Sequence, residues 1–318
     1  MGDAPELRWR RPPPLAAGGV IGVCAPSGPV NAERLEAGLA WLRAAGFRPR
    51  LAPHLYARAA YLAGTDAERA ADLRALLADP GVDAVVCARG GYGAMRLLPE
   101  LDLGVARAAP KPLVGFSDIT ALHLAWAAAG LVSFHGPVLE DSASPDGAFN
   151  RQALVAALEG TAWPGQLPTP PDIPAPCTLH DGVVRGRLVG GNLSLIVALL
   201  GTPYALNTRG AVLLLEDVHE PPYRLDRYLT QLWLAGKLQA AAGFVIGELV
   251  GCEAEGDGPD ALTVLADRLT PLGKPCAAGF CLGHGRYRLT VPLGVAVELD
   301  AGRPALTILE SGLASPVP

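Results

Sequence analysis

Short apolar runs bounded by glycine, proline and serine alternate along this chain with segments whose apolar residues recur every three to four positions. The first run, GGVIGVCAPSGPV over residues 18–30, reads as a buried strand followed by a loop. Asn31 then caps a stretch with Leu35, Leu39 and Leu42 on one face, and Gly46 closes it, as in an amphipathic helix. Thr65 and Glu68 have the spacing of a capping box ahead of Leu73, Leu76 and Leu77, and Asp79-Pro80-Gly81 supplies the turn. VDAVVCA follows as a buried strand, then the glycine-rich Arg89–Gly93, then PLVGF entering the helical DITALHLAWAAAG. This alternation predicts an α/β fold whose first part is a mainly parallel, flavodoxin-like sheet with helices on both faces and ligands beyond the carboxyl ends of its strands.

Between residues 161 and 177 the text becomes TAWPGQLPTPPDIPAPC, too rich in proline for a helix or a central strand. With 318 residues, two domains sharing a cleft, each with a compact core, are expected: residues 1–160, a linker at 161–177, and 178–318. In the second, smaller α/β domain VVRGRLVGG, AVLLLE and GFVIGEL read as strands. NLSLIVALLG, RLDRYLTQLWLAGKL and DALTVLADRL read as helices, and residues 288–309 have the alternation of a closing β-hairpin.

Composition narrows the function. Half the residues are hydrophobic and 18% are charged, as in a globular protein. A net charge of -5 offers no basic face for nucleic acid, which leaves a small molecule as the expected partner. The amino terminus carries charges and prolines where a secretory signal needs an apolar core, and no run reaches the roughly 20 apolar residues of a membrane span. Six cysteines without a CxxC pair read as free structural thiols, so a cytoplasmic, membrane-free protein is expected.

The candidate chemistry centres on Ser117, in Gly115-Phe116-Ser117-Asp118 where a strand meets a helix. Free backbone N–H groups and the helix dipole there suit the oxyanion formed when serine attacks a carbonyl, although an ordinary N-cap has the same local sequence. Ile119 stands where a GxSxG elbow needs its second glycine. Serine needs an imidazole, and the imidazole a carboxylate. His284, between glycines in GFCLGHGRY, is the first choice, and His135 in VSFHGP is its rival. His123 reads as a core residue, and His54, His180 and His219 fall in loops. Glu216 ends the apolar strand AVLLLE, where a charge needs a partner, with Asp217 and Glu220 as alternatives. The RGGYG turn can present N–H groups to an anion but lacks a dinucleotide fingerprint or a Walker lysine.

The blocks ARGGYGAMRLLPELD, PKPLVGFSDITALHLA, FHGPVL, GRLVGGNLSLIVALLGTPY, LLLEDVHEPPYRLDRYLTQL and GFCLGHGRYRLTVPLG resemble, in order, those of the LD-carboxypeptidase family of serine peptidases, over about residues 19–310. The resemblance implies a triad of Ser117, Glu216 and His284 bridging two domains. It also implies an oxyanion hole from the backbone of Asp118 and of the pair Gly90-Gly91, with Gly91 the favoured donor. A homodimer with no metal or cofactor is implied, acting on a cytoplasmic murein tetrapeptide by cutting the amide before its terminal D-alanine. A free carboxylate suits a guanidinium, which makes Arg89 and Arg286 candidates for it, with Tyr92 and His135 as further candidates for substrate contact. Two other readings remain: a microcin-immunity-type hydrolase of an aminoacyl- or peptidyl-nucleotide amide, and a non-catalytic α/β binding protein.

Overall fold

A computed structural model describes residues 8–143, 147–254 and 258–315. The first sheet contains β1 (Val20–Cys24), β2 (Arg48–Leu51), β3 (Ala84–Cys87), β4 (Leu113–Gly115) and β5 (Ser133–His135), in the parallel order β5-β4-β3-β1-β2. That is the flavodoxin-like order. Every residue of β1, β3, β4 and β5 is buried, which explains why these strands read as continuous apolar runs. Between them run α1 (Ala32–Ala44), α2 (Asp66–Ala78), α3 (Leu103–Ala108) and α4 (Thr120–Ala128). Asn31 caps α1, and Thr65 and Glu68 form the reciprocal capping box of α2.

After α5 (Gly147–Glu159), the second sheet is assembled from β6 (Gly165–Gln166), β7 (Cys177–His180), β8 (Val183–Asn192), β9 (Val212–Val218), β10 (Gly243–Val250) and β11 (Cys276–Ala278). It is completed by the hairpin β13 (Ala296–Asp300) and β14 (Ala305–Ile308). Strands β8 to β11 are mutually parallel, with antiparallel strands on both sides. The helices of this half are α6 (Leu193–Ala198), α7 (Pro222–Leu234), α8 (Lys237–Ala240) and α9 (Ala261–Leu269). The helix expected over residues 224–238 breaks at Gly236, which adopts a left-handed conformation between α7 and α8.

Three features tie the halves together more closely than the sequence pattern suggests. Strand β12 (Val291–Leu293), from the second half, adds antiparallel to β5 and so completes the first sheet. The two compact cores expected, one per domain, are not what forms: each of two hydrophobic clusters draws on both halves. Helix α4, buried nearly all round, packs against β8 and α6, and Thr120 Oγ1 accepts the Asn192 amide at 3.0 Å. The proline-rich segment does not cross solvent freely: Trp163 is buried, and β6 forms a two-residue sheet edge, a position that tolerates neighbouring prolines. Of the six free cysteines, Cys177 is exposed and the others are buried.

Candidate active site

The loops after β1, β3 and β4 converge at the carboxyl edge of the first sheet. After β4 the chain turns sharply, and Ser117 adopts φ 61°, a left-handed conformation uncommon for a residue with a side chain. Ser117 opens a short 3-10 turn that leads into α4, so the capping position anticipated for it is replaced by a strained, half-buried one. Gly90 lies directly against it, since a Cβ at that position would stand 3.4 Å from Ser117 Oγ. Gly91, with φ 114°, instead abuts Gly28, whose amide donates to Gly90 O at 3.1 Å.

A side chain that sequence reasoning considered only for its backbone holds this corner together. Asp118 is buried, and its Oδ2 accepts from Ser27 Oγ at 2.6 Å and from the Ala94 amide at 2.7 Å. One carboxylate therefore joins the loop after β1, the glycine-rich turn and the serine turn. Burial pushes its pKa up, while the Ser27 and Ala94 donors pull it back.

From the second half, Glu216 on β9 is wholly buried, and its Oε2 lies 2.7 Å from His284 Nδ1. The 68-residue separation between them is closed by the sheet, in which β10 places Gly247 beside Glu216. The His284 ring packs on Phe116 with centroids 4.7 Å apart, which brings the imidazole to the residue preceding Ser117. Of the alternative carboxylates, Asp217 points to the amides of Ser194 and Val218 and to Asn192 Nδ2, and Glu220 pairs with Arg224 at 2.8 Å. Burial, with Glu216 adjacent, raises Asp217 to about 6.

Other candidates sit in different settings. His135 is buried, lies 6.1 Å from the Phe116 ring, and has no partner for either ring nitrogen among the described residues. Burial lowers its pKa to about 3, so it is neutral at physiological pH. His123 is a core residue, bonded to Ser133 Oγ and Gly115 O at 2.8 Å each. Arg89 is exposed and donates to Pro29 O, Tyr92 is exposed beside Tyr61, and Arg286 pairs with Asp172 at 2.6 Å.

Three polar residues near His284 were not singled out by the sequence. Glu248, on β10, accepts the Gly285 amide at 3.0 Å, and burial raises it to about 7. Arg288 and Asp141 meet at 3.4 Å, with the Arg288 guanidinium carbon 5.4 Å from the centre of the Phe116 ring. Glu248 follows the apolar run GFVIG just as Glu216 follows AVLLL, so the rule that found one carboxylate applies equally to the other. Among the described residues no group of three or more His, Cys, Asp or Glu is placed to hold a metal ion, and no helix is long and apolar enough to cross a membrane.

An α/β protein of two sheets, with a buried glutamate paired to an imidazole that packs on the residue before a strained serine turn, has the form of a hydrolase. Comparison with known proteins agrees. The LD-carboxypeptidase N-terminal domain matches residues 21–136, and the C-terminal domain of the same family matches residues 185–299. The murein tetrapeptide carboxypeptidase of Pseudomonas aeruginosa is 33% identical over 295 residues, covering 90% of this chain and 94% of the relative. A Bacillus subtilis protein named "Probable murein peptide carboxypeptidase" is 36% identical over 311 residues, covering 95% of each. The microcin C7 self-immunity protein MccF of Escherichia coli is 28% identical over 335 residues, covering 95% of this chain and 96% of the relative. A solved structure of MccF with glutamyl sulfamoyl guanosine matches with a TM-score of 0.87 at 25% identity, covering 96% of this chain and 99% of that one. The chain belongs to the LD-carboxypeptidase family.

Proposed function

We propose that the protein is a cytoplasmic, homodimeric serine peptidase that hydrolyses the amide between an L-centre and the terminal D-alanine of murein tetrapeptides during wall recycling. The observation that carries this reading is the contact of His284 Nδ1 with buried Glu216, on a ring packed against Phe116. A carboxylate on Nδ1 holds the proton there and leaves Nε2 to act as base. Ser117 Oγ attacks the scissile carbonyl carbon as its proton passes to His284 Nε2, and Glu216 stabilises the imidazolium. The oxyanion is received by backbone N–H groups of Asp118 and the Gly90-Gly91 pair. The tetrahedral species collapses as His284 protonates the leaving amine, D-alanine departs, and water, deprotonated by His284, hydrolyses the ester on Ser117.

A second reading, hydrolysis of an aminoacyl-nucleotide amide, is favoured by the likeness to the MccF complex with glutamyl sulfamoyl guanosine. Against it, the single aromatic residue of the 161–177 segment, Trp163, is buried with Nε1 on Thr290 O, so that segment has no open ring for a nucleobase. The test offers a murein tetrapeptide and an aminoacyl-nucleotide in parallel to wild type and Ser117→Ala. Release of D-alanine by wild type alone is expected. Cleavage of the nucleotide amide alone would transfer the assignment to the second reading. No turnover of either, with no fluorophosphonate adduct on Ser117, would leave a non-catalytic binding protein.

A further inference from the structure

A peptidase that removes one carboxyl-terminal residue must distinguish a chain end from an internal amide. The discriminating group, the free carboxylate, is joined to the scissile carbonyl only through the leaving nitrogen and one Cα, so its carbon lies about 4 Å from the carbon that serine attacks. A cation that reads it must therefore stand beside the histidine and the serine turn.

Arg288 occupies such a position. Its guanidinium carbon is 5.4 Å from the centre of the Phe116 ring, and Phe116 separates it from neither partner by more than one side chain: Ser117 is the next residue, and the His284 ring packs on Phe116 at 4.7 Å. Arg288 Nη2 donates to His284 O at 3.3 Å, and the backbone amide of Arg288 is fixed by Asn150 Oδ1 at 2.8 Å. The side chain is 18% exposed, which shields the charge from water while leaving a route of contact.

The internal partners of this guanidinium are poor ones. Its Nη1 stands 3.4 Å from Asp141 Oδ1, well beyond the roughly 2.7–2.9 Å of a well-formed charge-assisted hydrogen bond. Arg34 contacts the same carboxylate oxygen, also at 3.4 Å. Arg288 Nε and Asp141 Oδ2 are both buried without partners among the described residues. Burial raises the Asp141 pKa in spite of the two arginines, which is consistent with loose pairing. By contrast, Arg286 holds Asp172 at 2.6 Å and Arg89 holds Pro29 O at 2.8 Å. A carboxylate offering two oxygens in the plane of the fork satisfies donors that Asp141 leaves unfilled.

We propose that Arg288 receives the free terminal carboxylate of the substrate and so confines cleavage to the last residue of the peptide. The inference rests on the peptidase activity proposed above. The two are separated by measuring kcat/KM on a tetrapeptide ending in D-alanine and on the same peptide ending in D-alaninamide, for wild type, Arg288→Gln and Arg288→Lys. Wild type should prefer the acid by a factor on the order of 10–100. In Arg288→Gln that ratio should fall toward unity, mainly through KM on the acid, and Arg288→Lys should recover part of it.

If wild type releases no D-alanine, the activity itself is wrong and this inference falls with it. If wild type discriminates and Arg288→Gln keeps the same ratio, this inference alone is overturned. Should both variants fail to fold, phenylglyoxal modification of Arg288, mapped by mass in Ser117→Ala, decides. Protection by the peptide acid and not by the peptide amide is the expected result, and equal protection overturns the assignment.

Discussion

Gly283 has no side chain where the carboxylate of Glu216 needs room: a Cβ built on it would lie 2.9 Å from Glu216 Oε2 and 3.1 Å from Glu216 Cβ. Its φ of 143° is also one that side chains rarely adopt. On the other side of His284, a Cβ on Gly285 would run into the Glu248 carboxylate. The two glycines that flank the imidazole thus admit one buried and one half-buried carboxylate, and the loop can approach the sheet closely only because both are bare.

Gly283→Ala is expected to displace either Glu216 or the His284 loop. Because the carboxylate at the clash is held by His284 and the backbone at φ 143° disfavours any side chain, stability should fall by about 1–3 kcal/mol. The rate of D-alanine release should drop further than that loss explains. Thermal melting and steady-state kinetics on one preparation check both, and wild-type kcat in the alanine variant would refute the steric argument.

Glu216→Gln keeps the size of the side chain and an acceptor oxygen, but removes the charge that holds the Nδ1 proton and stabilises an imidazolium. The expected cost in kcat is on the order of 10³–10⁴, with KM changed little. A loss below tenfold would mean that the contact with His284 is structural only.

Glu248→Gln separates a positioning role from an electrostatic one. With its folded pKa near 7 against 4.5 for the free side chain, Glu248 prefers to be protonated in the folded state. The sign follows: stability from the bound proton is full below about pH 4.5 and is lost as pH rises through 7. Glutamine keeps an acceptor for the Gly285 amide and has no charge to bury. The variant should therefore match wild type near pH 4.5 and melt several degrees higher above pH 7. A difference independent of pH would count against titration of Glu248.

Asp118→Asn tests the junction of the three loops. Asparagine retains one acceptor oxygen, but the charge that strengthens the bonds from Ser27 and Ala94 is gone. A stability loss of about 1–3 kcal/mol is expected, together with slower labelling of Ser117 by a fluorophosphonate. Ser27→Ala, which removes only one of the donors, should have a smaller effect of the same sign on both measurements.

Much of the architecture could be read from the chain because its cues are local. The buried runs at residues 20–24, 84–87 and 113–115 need no partner to be recognised as strands, and Asn31 and Thr65 cap their own helices. The serine, glutamate and histidine candidates also had local marks: a strand-to-helix turn, a charge ending an apolar run, and a histidine between glycines. Arg288 carried no such mark. Nothing in RYRLT separates it from Arg286 two positions earlier, yet one packs over Phe116 and the other pairs with Asp172.

By itself, then, the chain determined strand and helix, the glycine-rich turns and the residue types able to act, because hydrophobic period and backbone preference are properties of neighbouring residues. Tertiary structure alone decided that β12 crosses to the first sheet, that Asp118 gathers three loops, and that Glu216, not Asp217, faces the imidazole. Those contacts join residues as many as 160 positions apart, as between Ser133 and Leu293 in the β5–β12 pair. They depend on sheet register and loop direction, which no local pattern encodes.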